Sequence, residues 1–285
     1  IFFRLQPVRM SKQPLMGDMA PSSPMSPTSF AARQWQTSVT DARSLHWTMF
    51  AGGLLNVASG CINAMCLTGS YSETVSHMTG TATALGGAFT KSNWLMMGYQ
   101  FTKMLCFVVG ASISGGYTGS TTFKGGVEYA HLLVTIALLI FGAVYAEYIY
   151  HDVEAQESQA ATLYLEKLGL LLLAVASGMQ NALTTNYGGA VVRTTHVTGS
   201  LTDMGIEMGR ILFKGDWGRL WKFQLLTVFV FCYSMGAAIG TYLFAEIGTL
   251  AMLVPGTGIM TLGICYWIWR LMREAQKRAS PAVSP

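Results

Sequence analysis

"ASGCINA" at Ala58–Ala64 returns as "ASGMQNA" at Ala176–Ala182. A His-x-Thr-Gly element follows each copy: "SHMTGTATALG" at Ser76–Gly86 and "THVTGSLTDMG" at Thr195–Gly205. A third pair comes next in the same order, "LCFVVGASI" at Leu105–Ile113 and "FCYSMGAAI" at Phe231–Ile239. The connectors match as well, as Asn93-Trp94 and Asp216-Trp217. Matches kept in order along the chain mark an internal duplication. Duplication is common in transporters, whose sites lie between repeats near the bilayer midplane.

The surrounding composition says where such a chain lives. Of 285 residues, 51% are hydrophobic and 11% charged, against roughly 25% charged in soluble domains. A membrane helix requires about 20 largely uncharged residues. The stretches that approach or meet this are Ser44–Ser72, Leu105–Phe123, Tyr129–Ala146, Leu168–Val192, Phe223–Ala245 and Ile247–Trp269. The chain therefore reads as all-α, a polytopic transmembrane bundle of six to eight helices built from two repeats. The repeats are placed at 44–150 and 167–272, with an acidic linker at 151–166 and a basic C-terminal tail at 273–285. The lipid bilayer is the first partner this implies. The net charge of +4 fits membrane topology and gives no reason to invoke nucleic acid. All five cysteines fall in apolar runs without a CxxC or Cys/His spacing, so they read as packing residues.

Residues 1–43 form a different segment. Pro7, Pro14, Pro21, Pro24 and Pro27 stand among Ser, Met and Gln, a composition that disfavours a packed core. Its bases, Arg4, Arg9, Lys12 and Arg33, outnumber its acid, Asp18. Such a leader fits an organellar transit segment, plastid or mitochondrial, and equally a tail on the positive face of a membrane. Such a tail also offers a contact for other subunits of a membrane complex.

The number of crossings stays open at this level. Thr74–Thr90 and Thr194–Gly209 are short and rich in Gly, Thr, Ser and Ala. If both are re-entrant, each repeat crosses three times and the copies are inverted. If both cross fully, each repeat crosses four times and the copies run parallel. The distribution of Lys and Arg does not separate the two cases. Six spans leave Lys91, Lys103 and Lys167 on or near the far side, and eight leave Lys124 and Arg193. Either way both termini fall on one basic side, marked by Arg270, Arg273, Lys277 and Arg278.

The His-x-Thr-Gly elements suggest helix starts. Threonine can cap a helix, and glycine permits close backbone approach. A helix that starts inside a membrane protein aims free N–H groups and a positive dipole end into the interior, as in broken-helix transporter sites. Close packing through Gly80, Gly86, Gly87, Gly199 and Gly205 explains the same residues without a ligand. Ionisable residues within spans are functional candidates. In the second copy His196, Asp203, Glu207 and Arg210 share helical spacing, whereas the first copy has His77, Ala84, Ala88 and Lys91. Chemistry that needs a charge is thus expected in the second repeat. The histidines could titrate near neutrality or bind a metal or pigment, although hydrogen-bonded interior histidines are commoner. No set of enzymatic type stands out, so a non-enzyme is expected, with no metal or cofactor assigned.

"GMQNA" at Gly178–Ala182 followed by "VRTTHVTGSLTDM" at Val192–Met204 resembles the YoaK-like family of bacterial membrane proteins, which carry a domain of unknown function. The resemblance spans roughly residues 45–272. It implies that the first repeat opens with a Gly-x-x-Asp-Ala helix and a Thr-Gly-Asn turn. This chain departs there, with Asn63 in place of Asp and Thr81 in place of Asn. The leading expectation is a transporter-like core with a small solute or ion passing between the two Thr-Gly elements. Its lining is expected from Asn63, His77, Thr79 and Gly80 in the first repeat. The second repeat would supply Gln180, Asn181, Arg193, Thr195, His196, Thr198, Gly199 and Asp203. Arg193 or the helix N-termini would attract an anion, and Asp203 would serve a proton or cation. The alternative expectation is a non-transporting accessory subunit of a larger membrane complex, plausibly organellar.

Overall fold

The computed structural model describes residues 42–69, 71–118, 126–152, 159–187 and 195–279. The N-terminal tail and Arg193 lie outside them. Among the described residues every regular element is helical. The first repeat supplies α1 (Ala42–Thr68), α2 (Met78–Thr90), α3 (Trp94–Thr118) and α4 (Val127–Asp152). A short α5 (Gln159–Glu166) stands within the acidic linker. The second repeat supplies α6 (Leu168–Tyr187), α7 (Val197–Lys214), α8 (Leu220–Ile247) and α9 (Leu253–Ala279). Single 3-10 turns at Trp217–Arg219 and Gly248–Met252 lead into α8 and α9. The helical repeat therefore has four members, long, short, long and long, and α9 runs on through the start of the basic tail.

Stretches long and apolar enough to cross a bilayer are 50–68, 127–149, 168–186 and 217–276, the last containing both α8 and α9. Helix α3 carries one charge, Lys103, but runs alongside α6. Gly110 of α3 abuts the Val175 carbonyl of α6. Nearer their C-terminal ends, Asn186 Nδ2 donates to Thr118 Oγ1 at 3.0 Å. The two helices are thus parallel, and α3 crosses wherever α6 does.

The glycines of the repeated motifs make the central joints. A Cβ on Gly60 of α1 would collide with the Tyr233 carbonyl of α8, and one on Gly236 of α8 with the Val57 carbonyl of α1. The same lock recurs between Gly178 of α6 and the Phe107 carbonyl of α3, and between Gly110 of α3 and Val175. The first helix of each repeat is therefore clasped by the third helix of the other. Small residues allow this approach, and dispersion along touching backbones drives helix association in lipid. "ASG" and "VVGAS" are the two halves of that clasp.

Neighbouring contacts give the directions. Further along α1 and α8, Gly240 meets Cys61, so these two are parallel. Gln180 of α6 bonds Leu55 and Ser59 of α1, while Lys167, just before α6, reaches Tyr71, just after α1. Helices α1 and α6 are therefore antiparallel. Helix α4 packs antiparallel on α9, since Gly263 lies by Ala130 and Gly256 by Ile140. Every helix thus opposes its repeat partner, and the repeats are inverted. Because α1 and α3 are antiparallel, the chain between them enters and leaves at one end of the bundle. The same holds for the chain between α6 and α8. Helices α2 and α7 pack back along α3 and α8 without crossing, as re-entrant elements do, which selects six crossings over eight. At 13 residues, α2 extends only ~20 Å, short of a hydrocarbon core of about 30 Å.

Replacing Gly60 or Gly178 by Ala is expected to destabilise the protein despite the better helix propensity of Ala. Overpacking against backbone typically costs about 1–3 kcal/mol. Gly86→Ala, with nothing within 4 Å of its added carbon, should be neutral or stabilising. Thermal unfolding in detergent of the three variants distinguishes these outcomes.

Candidate functional site

The two bundle ends differ. At the linker end α1 finishes, α3 begins, α4 finishes and α6 begins. From this end the segment 71–77 dips into the bundle before α2 returns. Three side chains hold the dip. Asn63 Oδ1 accepts the N–H groups of Val75 and Ser76 and the Ser76 hydroxyl, each at 3.1 Å. Its Nδ2 donates to the Ser59 carbonyl at 2.9 Å. Lys103, 2% exposed, reaches from α3 to Glu73 Oε2 at 2.8 Å and the Thr74 carbonyl at 2.9 Å. Lys167 donates to the Tyr71 carbonyl at 3.2 Å. Lys103 stands nine residues into α3, ~14 Å from its start, so the dip penetrates well below the surface.

Buried charge also stands at the linker end. Lys103 and Glu147 of the first repeat, and Lys167 just before α6, are all buried there. Glu147 of α4 accepts the Thr249 hydroxyl at 2.9 Å. Sequence reasoning missed these residues. Lys103 interrupts an otherwise uncharged helix, and that interruption was the available signal.

Asn63 also gains a defined task. An aspartate in its place would accept the same three hydrogen bonds. The departure from the YoaK-like pattern removes a charge and keeps the anchor.

The tip of α2 is arranged around His77. Its φ and ψ of −83° and 71° place it at the N-cap without a side-chain capping bond. Its imidazole folds over Gly80, where a Cβ would strike the ring. Thr81 donates its N–H to the His77 carbonyl at 3.1 Å. His77 and Thr79 are exposed and Gly80 half-buried. These three lie together, whereas Asn63 acts one step earlier, on the descending chain.

In the second repeat His196 repeats the N-cap geometry, with φ −99° and ψ 66°. Thr198 is exposed, Gly199 half-buried, and Asp203 half-buried on the next turn. Gln180 is buried and holds α6 to α1, donating to the Leu55 carbonyl at 3.1 Å and Ser59 Oγ at 2.9 Å. It is a structural joint rather than part of the tip. Asn181, the counterpart of Asn63, is 6% exposed. Neither its Nδ2 nor its Oδ1 has a hydrogen-bond partner among the described residues, and the buried Thr195 hydroxyl is in the same condition. The amide that clamps the first dip is thus unengaged by described groups in the second. A cleft lined by Asn93, Leu95, Met96, Thr162, Leu163 and Glu166 lies at the linker end, by the start of α3 rather than at either tip.

One family matches the chain over residues 51–265, described as a protein of unknown function (DUF1275). The chain belongs to that family. Membership agrees with the YoaK-like resemblance of the Gly-Met-Gln-Asn-Ala helix and Thr-Gly turn, and the matched residues run from α1 into α9. No curated protein and no solved structure matches the chain.

Asn63→Leu removes the acceptor for three donors, two of them backbone N–H groups, and an unpaired buried donor costs about 1–3 kcal/mol. Amide hydrogen exchange across 71–77 should accelerate in Asn63→Leu and stay near wild type in Asn63→Asp. Equal protection in both variants would mean that the dip is held without this side chain.

Proposed function

We propose that this helical membrane protein passes a small solute or ion between its two re-entrant tips, one dipping from each end of the bundle. The reading is supported by the inverted repeats, because in this architecture discontinuous helices from two copies face a common site and access alternates between sides. The observation that carries it is the asymmetry of the paired amides. Asn63 is saturated by the chain it clamps. Asn181 and Thr195 present buried polar atoms that no described group satisfies. Buried polar atoms without partners are costly, and a polar solute would satisfy these.

Residues take roles accordingly. Asn181 and Thr195 would bind through the carboxamide and hydroxyl. Thr198 and Gly199 open α7, whose first turn offers free N–H groups to a negatively polarised atom. Asp203, one turn further along α7 toward its foot, would carry the proton or cation that couples movement. The first dip, fixed by Lys103 and Asn63, would be the stationary half against which the second moves. No enzymatic step is assigned.

Proteoliposomes loaded with a pH-sensitive dye and challenged with gradients of small inorganic and organic anions or alkali cations provide the test. Asn181→Leu should lower flux roughly tenfold or more, corresponding to loss of one or more hydrogen bonds to the solute. Asp203→Asn should remove the proton-linked component alone. Absence of protein-dependent flux under every gradient defeats the proposal and favours the accessory-subunit alternative.

A further inference from the structure

At the terminal end, where α1 begins and α9 finishes, α7 and α8 form a corner that the passage does not use. Gly215 ends α7 in the left-handed conformation, with φ 66°. The Gly215 N–H bonds the Ile211 carbonyl at 3.2 Å and the Asp216 N–H bonds the Arg210 carbonyl at 3.3 Å. This closure, a common helix stop, turns the chain so that the start of α8 faces the last turns of α7. Glu207 of α7, 1% exposed, then receives three cations. Lys222 approaches at 2.8 Å, Arg210 at 3.2 Å and Arg219 at 3.3 Å. Asp216 takes the Nε of Arg219 at 3.0 Å.

The corner has more positive charge than its acids consume. Arg210, Lys214, Arg219 and Lys222 stand against Glu207 and Asp216. A guanidinium offers five N–H donors and an ammonium three, so the cluster retains donors after Glu207 is satisfied. Arg210 and Arg219 side chains are 41% and 39% exposed and can present them outward. Beside these cations stand apolar side chains with nothing over them: Phe213 is 89% exposed, Trp217 66% and Leu212 65%. A soluble anion would leave those surfaces in water. A lipid satisfies both, with its phosphate on the cations and its acyl chains against Leu212 and Phe213. Trp217 takes the interfacial position that tryptophan favours. The same end carries Arg270 and Arg273 of α9, Arg273 stacked on Trp269 at 4.6 Å.

We propose that the α7–α8 corner binds the headgroup phosphate of an anionic phospholipid through Arg210, Arg219 and Lys222, with Glu207 as the buried carboxylate that gathers them. The site lies at the foot of the re-entrant helix α7, so headgroup occupancy holds α7 against α8. It stands independently of any solute pathway.

The test uses full-length protein reconstituted in vesicles whose phospholipids carry brominated acyl chains, which quench nearby tryptophan. The Trp217→Phe variant isolates the Trp217 signal from the other tryptophans. Phosphatidylglycerol should compete for the Trp217 site roughly tenfold better than phosphatidylcholine, because basic residues near the surface favour anionic lipid. The Arg210→Gln/Arg219→Gln pair should erase that preference. It leaves Lys222 on Glu207, so the carboxylate stays paired and the fold can be checked by thermal unfolding. The Arg210→Lys/Arg219→Lys pair should retain most of the preference, and Lys91→Gln, at the opposite end, should leave it intact. Equal quenching by both lipids overturns the proposal, as does a preference that survives the Gln pair. If millimolar inorganic phosphate abolishes the preference in wild type, the corner is a free-anion site and the lipid assignment falls.

Discussion

The contact on which the rest depends is a glycine pressed against a backbone carbonyl on a neighbouring helix, made twice. In lipid there is no hydrophobic gain in bringing two apolar helices together, because hydrocarbon solvates them as well as they solvate each other. Association therefore relies on close approach. Gly60 with Gly236, and Gly178 with Gly110, supply it by lacking a side chain where helices cross. Since each pair joins one repeat to the other, neither repeat completes its own packing alone. The halves are bound as an exchanged pair, and the inversion follows from which helix each glycine meets.

Once the long helices are locked, the chain between the first and third helix of each repeat has little choice. It starts and finishes at one end of the bundle, and α2 and α7 pack back along α3 and α8, so it turns back without crossing. Turning back exposes backbone groups that lipid cannot satisfy. In the first repeat these groups are met by Asn63 of α1, Lys103 of α3 and Lys167, just before α6. A buried lysine is tolerated there because it is paired with Glu73 and also bonded to a carbonyl. The second repeat has the equivalent amide, Asn181, but Phe229 and Leu226 line the buried face of α8 where α3 has Lys103. Duplication preserved the scaffold of the dip and let its chemistry diverge. That divergence leaves the paired amides unlike, Asn63 filled by the chain it clamps and Asn181 unengaged by described groups.

Charge is sorted along the bundle in the same way. The terminal end collects Arg210 and Lys214 of α7, Arg219 and Lys222 around the start of α8, and Arg270 and Arg273 of α9, while at the linker end Glu73 and Glu166 are paired with Lys103 and Lys167. The inverted repeats, although alike in fold, thus carry different charges around their two re-entrant elements. Glu207, paired with three cations, has no charged counterpart in α2, where Ala88 occupies its place.

The sequence alone determined the solvent, the helical class and the duplication, because length, low charge and ordered motif matches are properties of the chain read in one dimension. It also located both Thr-Gly tips and the families of small residues. It left six and eight crossings unresolved, since a short Gly/Thr helix has the same composition whether it crosses or turns back. Only the tertiary structure decided that, through the directions in which α1, α3, α6 and α8 touch. The same limit explains the site. Asn63 and Asn181 are equivalent letters, but whether an amide is filled by backbone N–H groups or left open depends on a chain that returns 12 residues later, and on buried charges brought from other helices. Lys103 and Glu73 are 30 residues apart, and no local pattern predicts their meeting.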